Sequence, residues 1–191
     1  MRVKILCSLF LAASIASCAR APSPMQATSG RLGDGEERVA TLPSATASIE
    51  PKSGSGVIGT VQFRQLLDTV EVKFTLEGLS PDSVHAIHIH TNGDCSAEDA
   101  SSAGGHYNPK SLRHGLPPAS NRHPGDLGNF ETDGNGKLLL TTEFESFRLE
   151  GDDSVIGRAV IVHEGLDTGE QPSGAAGARI ACGVILGDTR E

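Results

Sequence analysis

The chain has no tryptophan, a single tyrosine and two methionines, and aromatics make up only 4% of its 191 residues. Basic residues are scarce as well. Sixteen Lys and Arg face 24 Asp and Glu, and the resulting net charge of −8 argues against a nucleic-acid binder, which is normally basic. No apolar run reaches the ~20 residues that a membrane-spanning helix needs. No stretch of ten or more positions repeats apolar residues at helical spacing, so long amphipathic helices are excluded too. Histidine is absent from the first 84 residues, and all seven lie between His85 and His163. Glycine is the abundant residue, 23 of 191 and well above the usual ~7%, which points to many turns in one small domain with an appended tail.

Arg2 and Lys4 precede an apolar stretch from Ile5 to Ile15, followed by small residues, the layout of a secretory signal. Ile15-Ala16-Ser17-Cys18 resembles a bacterial lipobox, which implies cleavage before Cys18 and a lipid on that cysteine. Ala19-Arg20-Ala21 offers the alternative of ordinary cleavage at an A-x-A site. Ala19 is not the Asp that retains enteric lipoproteins at the inner membrane, so an outer-membrane anchor is favoured, with the domain on the periplasmic face of the cell envelope. Loss of residues 1–17 removes Arg2 and Lys4 and makes the mature chain two charges more negative. Residues 18–43, rich in Ala, Ser, Thr, Pro and Gly, read as a lipidated flexible tether, and residues 44–191 as the folded domain.

Cysteine use agrees with export. Cys7 leaves with the signal and Cys18 is the lipid site, so Cys95 and Cys182 remain as a single disulfide or as two free thiols. An 87-residue loop closed by a disulfide is worth about 4.6 kcal/mol at most in the chain-entropy treatment.

Seven β-rich runs follow one another: Val57–Leu66, Val70–Leu76, Ser83–His90, Asn129–Thr132, Lys137–Phe144, Val155–His163 and Arg179–Leu186. In the second, Val70, Val72, Phe74 and Leu76 alternate with Glu71, Lys73 and Thr75, the period of a half-buried strand. Asp133-Gly134-Asn135-Gly136 has hairpin-turn chemistry. The pattern predicts an all-β sandwich or flattened barrel. Two glycine- and proline-rich stretches, 104–128 and 164–178, break it as long loops, and long loops in a compact domain usually carry function or are disordered.

On a strand, His88 and His90 project to one side and Ile87 and Ile89 to the other, which sets the two imidazoles on one face about 7 Å apart. Neutral imidazoles in that arrangement suit copper or zinc. His85 shares the isoleucine parity and reads as an inward, hydrogen-bonded structural histidine. The first loop adds His106, His114, His123 and Asp126, three imidazoles and a carboxylate, a complete tetrahedral set for zinc. His163 ends a strand, and Asp167 follows four residues later.

Five segments together resemble the copper/zinc superoxide dismutase family: His88-Ile89-His90, Gly104-Gly105-His106-Tyr107-Asn108-Pro109, Arg122-His123-Pro124-Gly125-Asp126-Leu127-Gly128-Asn129, Val162-His163-Glu164 and Arg179-Ile180-Ala181-Cys182-Gly183-Val184-Ile185. They occur in the family's order, and weaker similarity extends back to about residue 46. The resemblance implies an immunoglobulin-like Greek-key β-sandwich or flattened eight-stranded barrel with two long functional loops. It implies one copper per subunit on His88, His90, His106 and His163, and one zinc on His106, His114, His123 and Asp126, with His106 bridging the two. Asp167 matches a carboxylate that hydrogen-bonds a copper ligand and a zinc ligand, here His88 and His114. Arg179 matches the arginine at the copper-channel mouth, and Cys95 with Cys182 the family disulfide. The implied reaction is dismutation of superoxide to oxygen and hydrogen peroxide, in which His106 takes up a proton, and the protein is a monomer or homodimer. The five-residue step from His90 to Cys95 matches the short spacing of bacterial members.

Two departures stand out. Ala86-Ile87 occupies the place of the family's usual Gly and larger apolar residue. Arg179 follows His163 by only 16 positions, fewer than in eukaryotic members, and Glu170 is the only charge in that loop after Asp167. The family's steering residues there therefore have no counterparts by position. A non-catalytic copper- and zinc-binding envelope lipoprotein is the alternative reading. Loss of a copper ligand or of Arg179 would favour it, and both are retained.

Overall fold

The computed structural model describes residues 42–189. The leader 1–17, Cys18 and nearly all of the tether lie outside the described residues. Eight strands run β1 Ser44–Pro51, β2 Ile58–Gln65, β3 Val70–Glu77, β4 Val84–His90, β5 Asp126–Glu131, β6 Leu138–Phe144, β7 Ala159–His163 and β8 Arg179–Gly187. The helical content among the described residues is one 3₁₀ turn, Ser101–Ala103. Every pairing is antiparallel, in the spatial order β5-β4-β7-β8-β1-β2-β3-β6. The result is a nearly closed Greek-key barrel, whose remaining seam lies between β5 and β6.

The alternation in β3 produces the expected face: Val70, Val72, Phe74 and Leu76 are buried, while Lys73, Thr75 and Glu77 are exposed. Strand β1 shows no run in the sequence pattern because its inward residues are small. Ala45, Ala47 and Ile49 are buried between Ser and Thr, and two alanines give almost no apolar signal. The turn at Asp133–Gly136 closes, with the Asp133 carboxylate accepting hydrogen bonds from the Asn135 and Lys137 amides at 2.9 and 2.8 Å. The strands it joins do not form a ladder, however. β5 pairs with β4 and β6 with β3, so the turn steps across the seam. The turn's backbone bonds instead to the β3–β4 connection, Leu79 N to Gly136 O and Asp82 N to Asp133 O, both at 3.1 Å. The start of the first loop's last run also shifts, since Asp126–Gly128 already belong to β5.

Few aromatics are present, but they are concentrated. Phe74 packs on Phe130 with ring centroids 4.8 Å apart, and Phe147 lies between Phe63 at 6.4 Å and Phe144 at 5.7 Å. All five are buried.

Two features position the site. β4 is buried along almost its whole length because one face meets the barrel core through Ile87 and Ile89 and the other is covered by loops. Cys95 and Cys182 form the disulfide, fastening the loop after β4 to β8, where Ala100, Ala103, Ala159 and Ile161 pack around Cys182. The chain enters beside Gly187, the partner of Ala45, at the end of β8 remote from Arg179.

Phe147 bridges two rings and is fully buried, so Phe147→Ala is expected to lower stability by ~3–5 kcal/mol in guanidinium unfolding. A loss below about 1 kcal/mol would place the core's main aromatic contact elsewhere.

Candidate metal centre

The last residues of β4 and β7, the first of β5 and the two long loops bring six histidines together. One nitrogen each from His88, His90, His106 and His163 lies within 4.8 Å of the others, and so do the donor atoms of His106, His114, His123 and Asp126. His106 belongs to both groups. Its Nδ1 faces Asp126 Oδ1 at 2.8 Å, and its ring centroid lies 4.0 Å from that of His88.

Hydrogen bonds fix which nitrogen each ring offers. A carboxylate or carbonyl oxygen only accepts, so the ring nitrogen touching it must carry the proton and the other keeps its lone pair. His88 Nε2 and His114 Nε2 donate to the two oxygens of Asp167, each at 2.9 Å. His90 Nδ1 donates to the Gly104 carbonyl at 2.8 Å, and His163 Nδ1 to that of Gly177 at 3.3 Å. The atoms left over, Nδ1 of His88 and His114 and Nε2 of His90 and His163, are buried and have no hydrogen-bond partner. Buried polar atoms without partners are costly, and lone pairs gathered as these are, three in the first group and that of His114 in the second, are what bound cations would satisfy. The residues present therefore fit a two-metal centre. His114 Nδ1 approaches Asp126 Oδ2 to 3.0 Å without hydrogen-bond geometry, as two ligands of one ion would.

Asp126 is itself held in place. Its Oδ2 accepts from the amides of Gly115 and His123 at 3.0 and 3.1 Å. Asp167 is held from β5: Asn129 Oδ1 accepts from its amide at 2.7 Å and Asn129 Nδ2 donates to its carbonyl at 2.9 Å. The carboxylate lies against Gly174, whose φ is +82° and where a Cβ would fall on Asp167 Oδ1. The backbone there needs glycine for both reasons. Gly125 is similarly enclosed, exchanging hydrogen bonds with Tyr107 and Ile89 at 2.9–3.0 Å with no room for a Cβ, and this locks the first loop onto β4.

Burial keeps four of the rings neutral. Burial lowers the pKa of His90 to about 2 and of His163 to about 3, each aided by a neighbouring histidine. His88 and His123 are lowered as well, also chiefly by burial. Burial alone would raise Asp167, but the hydrogen bonds from His88 and His114 outweigh it and hold the carboxyl below the usual range. Asp126 follows the same pattern, its burial outweighed first by the His106 hydrogen bond.

His85 lies in neither group. It is buried and donates from Nδ1 to the His163 carbonyl at 2.9 Å, a structural histidine bracing a neighbour of the site. Arg179 Nη1 donates to the Ala100 carbonyl at 2.8 Å, in the loop segment that the disulfide fastens. A cavity of about 700 Å³ opens over His90, His106 and His163, and its charged lining consists of Arg113 and Arg179 with no carboxylate. A chain of net charge −8 thus presents a locally cationic opening.

Sequence reasoning gave no role to Asn129 or to the Gly104 and Gly177 carbonyls. Asn129 lies within a recognised motif, but its two-atom grip on a backbone 38 residues away has no local signature. Backbone carbonyls have none at all.

A Greek-key barrel with two loop-covered, histidine-lined sites sharing one imidazole defines a dinuclear metalloprotein. Residues 57–185 match the copper/zinc superoxide dismutase family, and the chain belongs to it. It is 42% identical to an extracellular Cu-Zn superoxide dismutase of Caenorhabditis elegans over 136 residues, 68% of this chain and 61% of that protein. It is 40% identical to a Cu-Zn superoxide dismutase of Candida albicans over 143 residues, and 42% identical to one of Neurospora crassa over 143 residues. In each fungal case 70% of this chain is covered and 92% of the relative. Membership brings the family's chemistry with it, a copper- and zinc-dependent dismutation of superoxide.

The depressed histidine pKa values set the acid behaviour of the metal-free protein. Below the ordinary value of 6.5 the unfolded chain takes up protons on His90 and His163 that the folded chain refuses, so stability falls as pH falls. Asp126 and Asp167, depressed in the folded state, add a loss of the same sign at still lower pH. Chelator-treated protein is expected to lose denaturant midpoint steadily from pH 7 to 4. A flat or rising midpoint would contradict the buried neutral rings.

Proposed function

We propose that this chain performs the dismutation at a copper held by His88, His90, His106 and His163, bridged through His106 to a zinc held by His106, His114, His123 and Asp126. The observation that carries the assignment is the set of four buried, partnerless ring nitrogens, each left available by a hydrogen bond on the opposite side of its ring. When bound, copper supplies a one-electron redox couple, and zinc, which has no redox chemistry, supplies charge and fixed geometry.

The protein's own residues do the rest. Two superoxide anions become one oxygen and one hydrogen peroxide, and two protons are consumed. His106 has Nδ1 turned to Asp126, and with zinc in place of the proton on that side, Nε2 would be the atom that takes up a proton on the copper-group side. Arg179, steadied by Ala100, sits in the cavity lining and offers its guanidinium to an incoming anion. Distant surface carboxylates are screened beyond ~8 Å at physiological salt, so the two arginines of the opening outweigh the overall negative charge. Asp167 orients His88 and His114 and so keeps both groups in register.

Purified residues 19–191 loaded with copper and zinc are expected to speed superoxide decay. A copper chelator or His163→Ala should abolish this, and Arg179→Glu should slow turnover and flatten its salt dependence with metal content unchanged. Metal-replete protein no faster than His163→Ala would overturn the assignment, and unchanged kinetics in Arg179→Glu would remove the steering role.

The finer reading is an exported, lipid-anchored enzyme of the bacterial envelope. It is supported by the Ile15-Ala16-Ser17-Cys18 sequence, the Ala-, Ser-, Thr-, Pro- and Gly-rich composition of 18–43 and the disulfide, a bond typical of oxidising compartments. The C. elegans and Haemonchus contortus relatives, named as extracellular, agree with export. Anchoring guards the outside of the cell against superoxide arising there. Expressed in a Gram-negative host with radiolabelled palmitate, the full chain should incorporate label and fractionate with membranes, and Cys18→Ser should do neither. Label persisting in Cys18→Ser would refute the anchor site.

A further inference from the structure

The loop 164–178 is held over the metal centre by hydrogen bonds, among them those of Asp167 to His88, of Asn129 to the Asp167 backbone and of His163 to the Gly177 carbonyl. It is rich in glycine and nearly free of large apolar residues, and Leu166 is exposed. Its remaining hold on the site runs through His114, on the zinc-group side. Asp167 takes the His114 ring through Nε2. Gln171 takes its backbone from the other side: the His114 amide donates to Gln171 Oε1 at 3.2 Å, and Gln171 Nε2 donates to the His114 carbonyl at 2.8 Å. The carboxamide thus meets the main chain as a strand partner would, donor to acceptor and acceptor to donor. Three of the four polar atoms of His114 are engaged by this one loop, and the fourth, Nδ1, is the one aimed at Asp126. Beyond Gln171 the loop continues as Pro172, Ser173, Ala175, Ala176 and Gly177, which form one wall of the cavity over His90, His106 and His163.

We propose that Gln171 is a positioning residue that couples occupancy of the zinc group to closure of the channel wall over the copper group. This rests on His114 being a zinc ligand. With His114 fixed by an ion at Nδ1, its main chain is a rigid anchor for Gln171, and the segment 171–177 is ordered on it. Without the ion, the first loop loosens, the double hydrogen bond fails and the wall of the channel opens. The coupling is reciprocal, so the Gln171 bonds in turn hold His114 in the orientation the ion needs. Gln171 is exposed and bonds only main-chain atoms, so its loss changes no ligand and removes no core contact.

The test compares wild type, Gln171→Met (near in volume, with no hydrogen bonds), Glu170→Gln as a control in the same loop, and His114→Ala. Two readouts independent of turnover are used on the disulfide-intact protein. One is the visible spectrum and affinity of cobalt(II) placed in the zinc group, and the other is amide exchange of residues 168–178 with and without zinc. Wild type and Glu170→Gln are expected to give the same cobalt bands and strong zinc-dependent protection. Gln171→Met should bind cobalt about tenfold more weakly, show shifted bands and lose most of the zinc-dependent protection of the loop, while copper affinity stays within twofold. Unchanged bands and unchanged protection in Gln171→Met would overturn the coupling. Cobalt bands that persist in His114→Ala would instead overturn the zinc assignment beneath it, and the proposal with it.

Discussion

The carboxylate of Asp167 is fully buried and accepts one ring hydrogen bond on each oxygen, from His88 Nε2 and from His114 Nε2. An isolated charge at that depth would be untenable, and these bonds, with the Gly169 amide, are what keep it ionised. Much else depends on that one group. It sets the tautomer of a histidine in each half of the centre, so each ring keeps its Nδ1 lone pair for its own donor group. It also draws the loop after β7 down onto β4, because the carboxylate can be satisfied nowhere else. Asn129 completes the arrangement from β5 by gripping the backbone that carries it.

The barrel and the loops divide the work between order and chemistry. The core is built from Val, Ile, Leu and five phenylalanines, and the strands that carry His88, His90 and His163 are fixed by it. The loops over the site add only Ala100, Ala103, Tyr107 and Ala176 to the buried apolar residues. They are shaped by glycines at crowded or left-handed positions, by carbonyls that accept from imidazoles, and by one disulfide that restrains the segment bonded to Arg179. A ring such as His90 is therefore locked from both sides, by its strand and by the Gly104 carbonyl. Burial keeps that ring neutral, and the carbonyl bond leaves its Nε2 turned inward.

How much of this the sequence discloses depends on the distance over which each feature acts. The β3 alternation and the pairing of His88 with His90 on one face are local, period-two facts and survive unchanged in the structure. The spacing of His106, His114, His123 and Asp126 was enough to suggest a zinc set, because a loop that returns to one point must bring its ligands along. β1 was not legible as a strand, since Ala45 and Ala47 fill the core with little hydrophobic signal. Nor was the seam at β5 and β6. The turn between them has hairpin chemistry, and only the competing partners β4 and β3 draw the strands apart. The amide grips of Asn129 and Gln171 act across 38 and 57 residues and follow no period, so they emerge only once the chain is folded.

The register of the first strand bears on how such a protein can be mounted. Ala45 pairs with Gly187, so the described chain begins at one end of β8, while Arg179 stands at the other, about 27 Å along the strand. A handle at that end leaves the guanidinium and the cavity it lines unencumbered. The fold thereby puts the start of the first strand and the cavity at opposite ends of β8.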